Sequence, residues 1–314
     1  MTRPFVALDA AFHQLVPPDA RLERVASGFA FTEGPVWRQD HLLFSDVPRS
    51  RIARWQDLPE GPEVRTFRVE HAAEGVLGAS GNCNGMTLDT QDRLIVCGQG
   101  ARRVTRTEPD GTIVVIADRF EGRRLNSPND VVVHPSGAIY FTDPPHGLRS
   151  LSEGKELPFQ GVYRIGVNGA LSLLVDDFQH PNGLAFSPDY SVLYIGDDAR
   201  GHVRAFDVTE DGTLTAGRIF AAMPLPATLS PDENPPDGMK VDSMGNLYVT
   251  VMGGVWIFDE SSRLLGMINL PEATANLAWG GSDWRTLFIT ASTSLYRIRL
   301  SVAGVPVGRA ALSA

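Results

Sequence analysis

The chain has 314 residues, of which 43% are hydrophobic and 21% are charged, and its formal net charge is −9. This composition is typical of a globular protein with ample material for a core. The basic residues form no stripe that would suit nucleic acid, and no apolar run approaches the roughly 20 residues of a membrane span. Two cysteines, Cys83 and Cys97, are too few for a disulfide framework or a thiolate metal site. We expect both to be small buried hydrophobic residues.

The N-terminal region, residues 1–20, has no apolar core of the kind found in signal peptides, and Pro17 and Pro18 interrupt it. We therefore expect no signal peptide and a cytoplasmic protein. A periplasmic location stays open, because a chain trimmed of its leader would look the same.

One segment type occurs six times along the chain. Each copy has a polar or small first residue, a short alternating apolar run, a turn rich in Gly, Asp, Asn or Ser, and a second apolar run. The copies begin at Glu33, Asn84, Asn129, Asn182, Asp237 and Ala275. Period-2 apolar runs on both sides of a turn predict a β-hairpin, and further strand-like runs follow, such as residues 51–55 and 64–69. Four short strands in a unit of roughly 40 to 55 residues are typical of a propeller blade.

The six copies predict an all-β fold, a six-bladed β-propeller. The last copy offers only three strands, at residues 275–279, 286–290 and 294–300. Residues 22–26, near the N-terminus, can supply the missing outer strand, which would leave no open sheet edge. We predict one propeller domain over residues 1–314, with an N-terminal extension (1–20), the propeller itself (21–300) and a C-terminal tail (301–314).

The first strand of each blade lines the central channel, so the six repeat starts should form a ring at one end of it. Five of the six side chains carry oxygen and none is basic. Two carboxylates among three amides would repel each other unless a cation lay between them. Ca²⁺ accepts about six to eight such oxygens in loose geometry, whereas Zn²⁺ prefers His or Cys. We predict one divalent cation, Ca²⁺ first, with Mn²⁺, Mg²⁺ or Zn²⁺ as alternatives.

The same residues also have a purely structural interpretation, as the first residues of turns. Asn-Gly and Asp-Gly pairs are turn signals, so Asn84, Asn182 and Asp237 could each simply open a turn. Glu33 is not a turn former, and five oxygen-bearing residues share one repeat position. Both facts favour the cation site.

Five motifs carry a family resemblance: EGPVW, LNSPNDVVV, FTDPPHGL, HPNGLAFSPD and PDGMKVDSMGNLYV. Together they resemble the gluconolactonase branch of the SMP-30/gluconolactonase family, over about residues 20–300. The resemblance implies a six-bladed propeller with a catalytic divalent ion that hydrolyses a small sugar lactone such as gluconolactone. It implies Glu33, Asn129, Asn182 and Asp237 as metal ligands, the four residues that the repeats also indicate. It further implies that Asn84 and Asn129 face the substrate and that Asp237 is the catalytic base.

The chain departs from the family pattern at three places. Cys97-Gly98-Gln99-Gly100 stands where bacterial relatives often have Cys-Glu-His-Gly, Ser127 where the animal branch has a sugar-binding arginine, and His146 where relatives often have tyrosine. These changes leave the predicted metal site intact and leave the exact substrate open. We predict that His146 contacts substrate, a turn histidine being the alternative.

We expect His134 and His180, which precede prolines, to be structural. We expect residues 144–160 and 224–236 to be candidate lids.

Two alternatives to a lactonase fit the same sequence. They are a calcium-dependent phosphotriesterase or other esterase on the same fold, and a non-catalytic binding propeller. The expected partner is a small lactone, with neither nucleic acid nor membrane, and the oligomeric state is left open.

Overall fold

The computed structural model describes residues 3–70, 82–148, 154–223 and 236–312. The chain begins with strand β1 (Phe5–Ala7), the short helix α1 (Phe12–Leu15) and strand β2 (Glu23–Ser27). Within the described residues, no helix is long and apolar enough to cross a membrane.

The described residues form six antiparallel blades. Blades 1 to 5 each contain four consecutive strands, with β1 as a fifth strand in blade 5, and β2 joins three consecutive strands to complete blade 6. Blade 1 has β3 (Thr32–Arg38), β4 (His41–Asp46), β5 (Arg51–Leu58) and β6 (Gly61–Val69), with a 3₁₀ turn at Val47–Arg49. Blade 2 has β7 (Cys83–Leu88), β8 (Leu94–Gly98), β9 (Arg103–Thr107) and β10 (Ile113–Ala117), and a ribbon of β11 (Arg119–Phe120) and β12 (Arg123–Arg124) follows it. Blade 3 has β13 (Val131–Val133), β14 (Ile139–Asp143), β15 (Gln160–Ile165) and β16 (Leu171–Phe178). Blade 4 has β17 (Pro181–Phe186), β18 (Val192–Asp197), β19 (His202–Asp207) and β20 (Arg218–Ala222). Blade 5 has β21 (Met239–Val241), β22 (Leu247–Val251), β23 (Gly254–Phe258) and β24 (Leu264–Asn269). Blade 6 has β25 (Thr274–Gly280), β26 (Thr286–Ala291) and β27 (Ser294–Arg299), and a 3₁₀ helix ends the described chain at Gly308–Leu312.

The innermost strands contact one another around a complete ring, in the order β3, β7, β13, β17, β21, β25 and back to β3. Glycine allows this close approach. A Cβ on Gly34, whose φ is +48°, would lie 2.0 Å from the carbonyl oxygen of Asn84, and a Cβ on Gly183 would lie 2.3 Å from that of Asp237. The predicted six-bladed propeller is confirmed.

The two ends of the chain meet in blade 6, as predicted. Strand β2 pairs antiparallel with β27, with Arg24 opposite Tyr296 and Ser27 opposite Ser294. The strand lies one residue beyond the predicted segment 22–26. This pairing covers the outer edge of the three C-terminal strands, which would otherwise be open.

Residues upstream of β2 also pack onto the ring. Strand β1 adds a fifth strand to blade 5, with Phe5 opposite Ile268. Phe12 and Leu15 of α1 are buried in the core cluster between blades 5 and 6. Part of the predicted N-terminal extension is therefore integral to the ring.

The core consists of apolar side chains between adjacent blades. Between blades 6 and 1, Trp55 and Phe44 pack with Phe288, and the Trp55 and Phe288 rings are 5.3 Å apart. Cys83 and Cys97 are buried and free, as the sequence predicts.

The two ends of the central channel differ in chemistry. At one end, apolar residues such as Val36, Leu88 and Val241 line a cavity of about 80 Å³, and the C-terminal segment covers it with Val305 and Val307. The polar repeat starts lie at the other end, so the candidate site is there.

Candidate metal centre and active site

The six repeat starts hold equivalent places in the ring. At three of them the carbonyl oxygen accepts a hydrogen bond from a hydroxyl of the preceding blade: Asn84 from Ser45 (2.7 Å), Asn182 from Thr142 (2.8 Å) and Ala275 from Thr250 (2.8 Å). Asn129 is also held by its backbone, because its N–H donates to Thr142 and its carbonyl accepts from Gly85. The predicted site residues Glu33, Asn84, Asn129 and Asn182 are all buried, and Asp237 is partly buried.

The two ring carboxylates repel each other. Burial and the charge of Asp130 raise the pKa of Glu33 to about 7, although a hydrogen bond from Asn276 opposes the rise. Burial and then the charge of Glu33, with a further contribution from Asp198, raise the pKa of Asp237 well above its usual range. A cation between the two carboxylates would oppose both shifts, because it stabilises the ionised forms.

Two ring amides have an unsatisfied oxygen. The Oδ1 atoms of Asn84 and Asn182 are buried and have no hydrogen-bond partner among the described residues. Such a group costs about 1–3 kcal/mol. The Asn182 Nδ2, by contrast, donates to Asp198 Oδ2 at 2.9 Å, which fixes the orientation of the amide. The donor set of carboxylate and amide oxygens fits a hard cation such as Ca²⁺.

A second polar layer lies next to the ring. The Asn276 Nδ2 donates to Glu33 Oε2 at 3.1 Å and to Asp130 Oδ2 at 3.4 Å, and the Lys240 Nζ lies 4.0 Å from Asp130 Oδ2. Asn276, Asp130 and Lys240 are not among the site residues that the repeats predict. Asp130 and Asn276 directly follow ring positions, where the other four copies have glycine. A polar side chain in place of this glycine is the sequence feature that could have identified both residues.

Three aspartates fix the loops that lead to ring residues. Asp46, Asp143 and Asp197 each end the second strand of a blade. Each accepts backbone N–H groups three and two residues before the ring residue: Ala30 and Phe31 before Glu33, Asn126 and Ser127 before Asn129, and Gln179 and His180 before Asn182. The corresponding residues of blades 2, 5 and 6 are Gly98, Val251 and Ala291. The device thus occurs in three blades that carry predicted metal ligands.

Substitution of Asp143 tests whether these hydrogen bonds between a carboxylate and the loop stabilise the protein. Its oxygens accept from Asn126 N and Ser127 N at 2.7 Å each, and burial raises its pKa to about 7. In Asp143→Asn, the new amide NH₂ would face one of these N–H donors. We expect a loss of about 1–3 kcal/mol in the free energy of unfolding, measured in urea. The exposed Asp110→Asn variant is the control, and equal stability of the two variants would contradict the role of Asp143.

Two histidines and one carboxylate form a cluster beside the ring. The Nε2 of His146 lies 2.8 Å from Asp198 Oδ2, and the Nδ1 of His180 lies 3.2 Å from Asp198 Oδ1. Asp198 is only 5% exposed. Burial alone would raise its pKa, but the hydrogen bonds from His146 and His180 lower it. Because Asp198 also binds Asn182, the cluster holds a predicted metal ligand in place.

His146, His180 and His134, the three histidines considered in the sequence, lie at two different places in the fold. His146 faces Asp198 with its side chain 22% exposed, and its contact with substrate stays a prediction. His180, expected as a structural turn residue, joins the same cluster next to the ring. His134 lies at the apolar end of the channel, where it packs against Phe186 and Tyr190.

The structure describes only part of the two candidate lids, residues 144–160 and 224–236. Residues 144–148 and 154–160 belong to the structure, and the buried side chain of Leu157 packs in the core cluster between blades 2 and 3. Residues 149–153 and 224–235 lie outside the described residues.

Comparisons with known proteins agree on one family. The model of the SMP-30/Gluconolactonase/LRE-like region matches residues 31–293. The gluconolactonase of Zymomonas mobilis subsp. mobilis is 32% identical over 295 residues, covering 90% of this chain and 82% of that protein. The solved structure of a gluconolactonase from Xanthomonas campestris is 36% identical, with a TM-score of 0.82 and 95% of each chain covered. Regucalcin of Bos taurus is 26% identical over 82% of each chain. With this match over most of its length, the chain belongs to the SMP-30/gluconolactonase/LRE-like family.

Proposed function

We propose that this protein is a divalent-cation-dependent lactonase that opens a small sugar lactone such as D-glucono-1,5-lactone, with Ca²⁺ as the cation. Two relatives that match most of the chain are named gluconolactonases. The observation that carries the proposal is the pair of buried amide oxygens without hydrogen-bond partners among the described residues: Asn182 Oδ1, which would face the cation, and Asn84 Oδ1, which would face a hydroxyl of the substrate. They belong to the same ring as Glu33 and Asp237, whose pKa values are raised.

Glu33, Asn129, Asn182 and Asp237 would hold the cation. Their oxygens suit Ca²⁺, and Mn²⁺ or Mg²⁺ could use the same atoms. When bound, the cation would supply positive charge that polarises the lactone carbonyl and stabilises the developing oxyanion.

Asp237 is the proposed general base. Water adds to the lactone carbonyl, and a carboxylate oxygen of Asp237 takes the proton of that water. The ring C–O bond then breaks, and the departing alkoxide oxygen takes that proton from Asp237, which restores the carboxylate and leaves a hydroxy acid. Burial and the charge of Glu33 make Asp237 a stronger base than an exposed aspartate. A bound cation would lower the pKa of Asp237 again in part. The working pH range would therefore depend on how far burial and Glu33 raise this pKa and how far the cation lowers it.

Asn84, Asn129 and His146 are the proposed contacts with substrate. Asn84 and Asn129 have amide groups that can donate to the hydroxyls of a sugar lactone. The exposed part of the His146 ring is available for a similar contact, while its Nε2 is held by Asp198. These contacts would orient the lactone toward Asp237.

The test is hydrolysis of D-glucono-1,5-lactone by purified protein, corrected for the spontaneous rate, before and after EDTA treatment. We expect EDTA to abolish activity and Ca²⁺ or Mn²⁺ to restore it, with Mg²⁺ and Zn²⁺ added in parallel. Activity that survives in protein shown to be metal-free would contradict the cation ring. Bound metal without lactone turnover would contradict the lactonase assignment, and a phosphotriester assayed alongside would then identify the alternative esterase.

A further inference from the structure

The cluster of His146, His180 and Asp198 differs in chemistry from the oxygen ring. One ligand atom from each residue lies within 4.8 Å of the others. The imidazole rings are nearly perpendicular, at 78°, with their centroids 5.0 Å apart. We propose that these three side chains form a second cation site, which binds a transition metal such as Zn²⁺ in preference to Ca²⁺.

The donor types support this preference. Two imidazole nitrogens and one carboxylate oxygen are a ligand set that Zn²⁺ accepts in tetrahedral geometry, with a fourth position for water. Ca²⁺ takes oxygen ligands and gains little from imidazole. The ring and the cluster should therefore select different metals from the same solution.

The carboxylate at the centre of the cluster is held in place before any metal arrives. Asp198 Oδ2 accepts from Asn182 Nδ2 at 2.9 Å, which is the kind of supporting contact that orients metal ligands. The histidine nitrogens already point at the two oxygens of Asp198, at 2.8 and 3.2 Å. Metal binding requires each neutral imidazole to carry its proton on the nitrogen that faces away from Asp198.

Access to the cluster comes through the histidines. Their side chains are 22% and 21% exposed, whereas that of Asp198 is 7% exposed. A cation can reach the imidazoles from solvent and meet the buried carboxylate behind them. This inference concerns binding alone and does not depend on the proposed lactonase activity.

The experiment is equilibrium dialysis of EDTA-treated full-length protein against Zn²⁺, with excess Ca²⁺ present to fill the ring, followed by elemental analysis. We expect one Zn²⁺ per chain. His146→Gln and His180→Gln should each weaken this binding at least about tenfold, whereas the exposed His13→Gln should leave it unchanged. The variant Glu33→Gln, altered in the ring, should still bind Zn²⁺ at the cluster.

Co²⁺ gives a spectroscopic readout of the same site. Co²⁺ in a tetrahedral site of nitrogen and oxygen ligands absorbs visible light strongly, and this band should disappear in both cluster variants. Circular dichroism would confirm that both variants are folded. Zn²⁺ binding that is absent in the unaltered protein, or that persists unchanged in both folded variants, would overturn the proposal.

Discussion

Replacing Asp237 by asparagine should lower kcat for lactone hydrolysis by about 10²–10⁴-fold, while the protein still binds Ca²⁺. Asparagine keeps one oxygen for the cation but cannot take a proton from water, and that is the size of effect expected when a general base is lost. Steady-state kinetics at saturating Ca²⁺ measure the loss. Calorimetric titration with Ca²⁺ shows whether the metal site survives.

The control for this variant is Asp211→Asn. Asp211 is an exposed residue of the connection between β19 and β20, and its carboxylate accepts hydrogen bonds from Thr209 and Thr213. It should leave kcat unchanged. If Asp237→Asn retained full activity with metal bound, the role of Asp237 as base would be wrong, and a water acidified by the cation itself would replace it.

Replacing Glu33 by glutamine should weaken Ca²⁺ binding on the order of 100-fold, because Ca²⁺ affinity follows the number of charged ligands. Glutamine keeps the size of the side chain, so the ring should stay packed. The shift of Tm caused by saturating Ca²⁺ measures the effect, and it should be much smaller in the variant. An unchanged shift would exclude Glu33 as a ligand.

The same residue predicts how the stability of the metal-free protein depends on pH. The pKa of Glu33 rises from 4.5 to about 7 on folding. Between these two values the folded chain binds more protons than the unfolded chain, so stability falls as pH rises through this window. The expected loss is about 3 kcal/mol. Urea unfolding in EDTA at about pH 5 and about pH 8 tests it. Glu33→Gln should reduce the difference by about this amount and leave the part that the raised pKa values of Asp143 and Asp237 contribute.

The blades could be predicted from the sequence because each carries its own local pattern. Alternating apolar runs around a turn occur in every copy, so even a late strand such as β27 (Ser294–Arg299) is found within one residue of its predicted bounds, 294–300. Strand β1 could not be found this way. It has three residues, and its pairing partner near Ile268 lies more than 250 positions away. So short a strand carries no periodicity of its own.

In the candidate site, too, some residues could be predicted from the sequence and others could not. Ring residues such as Glu33 and Asn182 repeat at one position, so the alignment of copies identifies them. Asp198 directly follows the second strand of blade 4 and contacts Asn182 only because the fold brings the first and second strands together. His180 precedes a proline and resembles an ordinary turn residue in the sequence. Its orientation toward Asp198 depends on the loop that Asp197 holds, and no local pattern reveals that.

Closure of the ring by β2 has a consequence for how the chain folds. Strand β2 emerges from the ribosome before any of blades 1 to 5, but its partner β27 follows about 270 residues later. The four consecutive strands of each of blades 1 to 5 can form from neighbouring residues, whereas blade 6 must wait until β25 to β27 have been synthesised. Such a non-local contact raises contact order and slows the final step. We therefore expect nascent chains to accumulate as an open five-bladed arc with two exposed edges, the state most prone to aggregation.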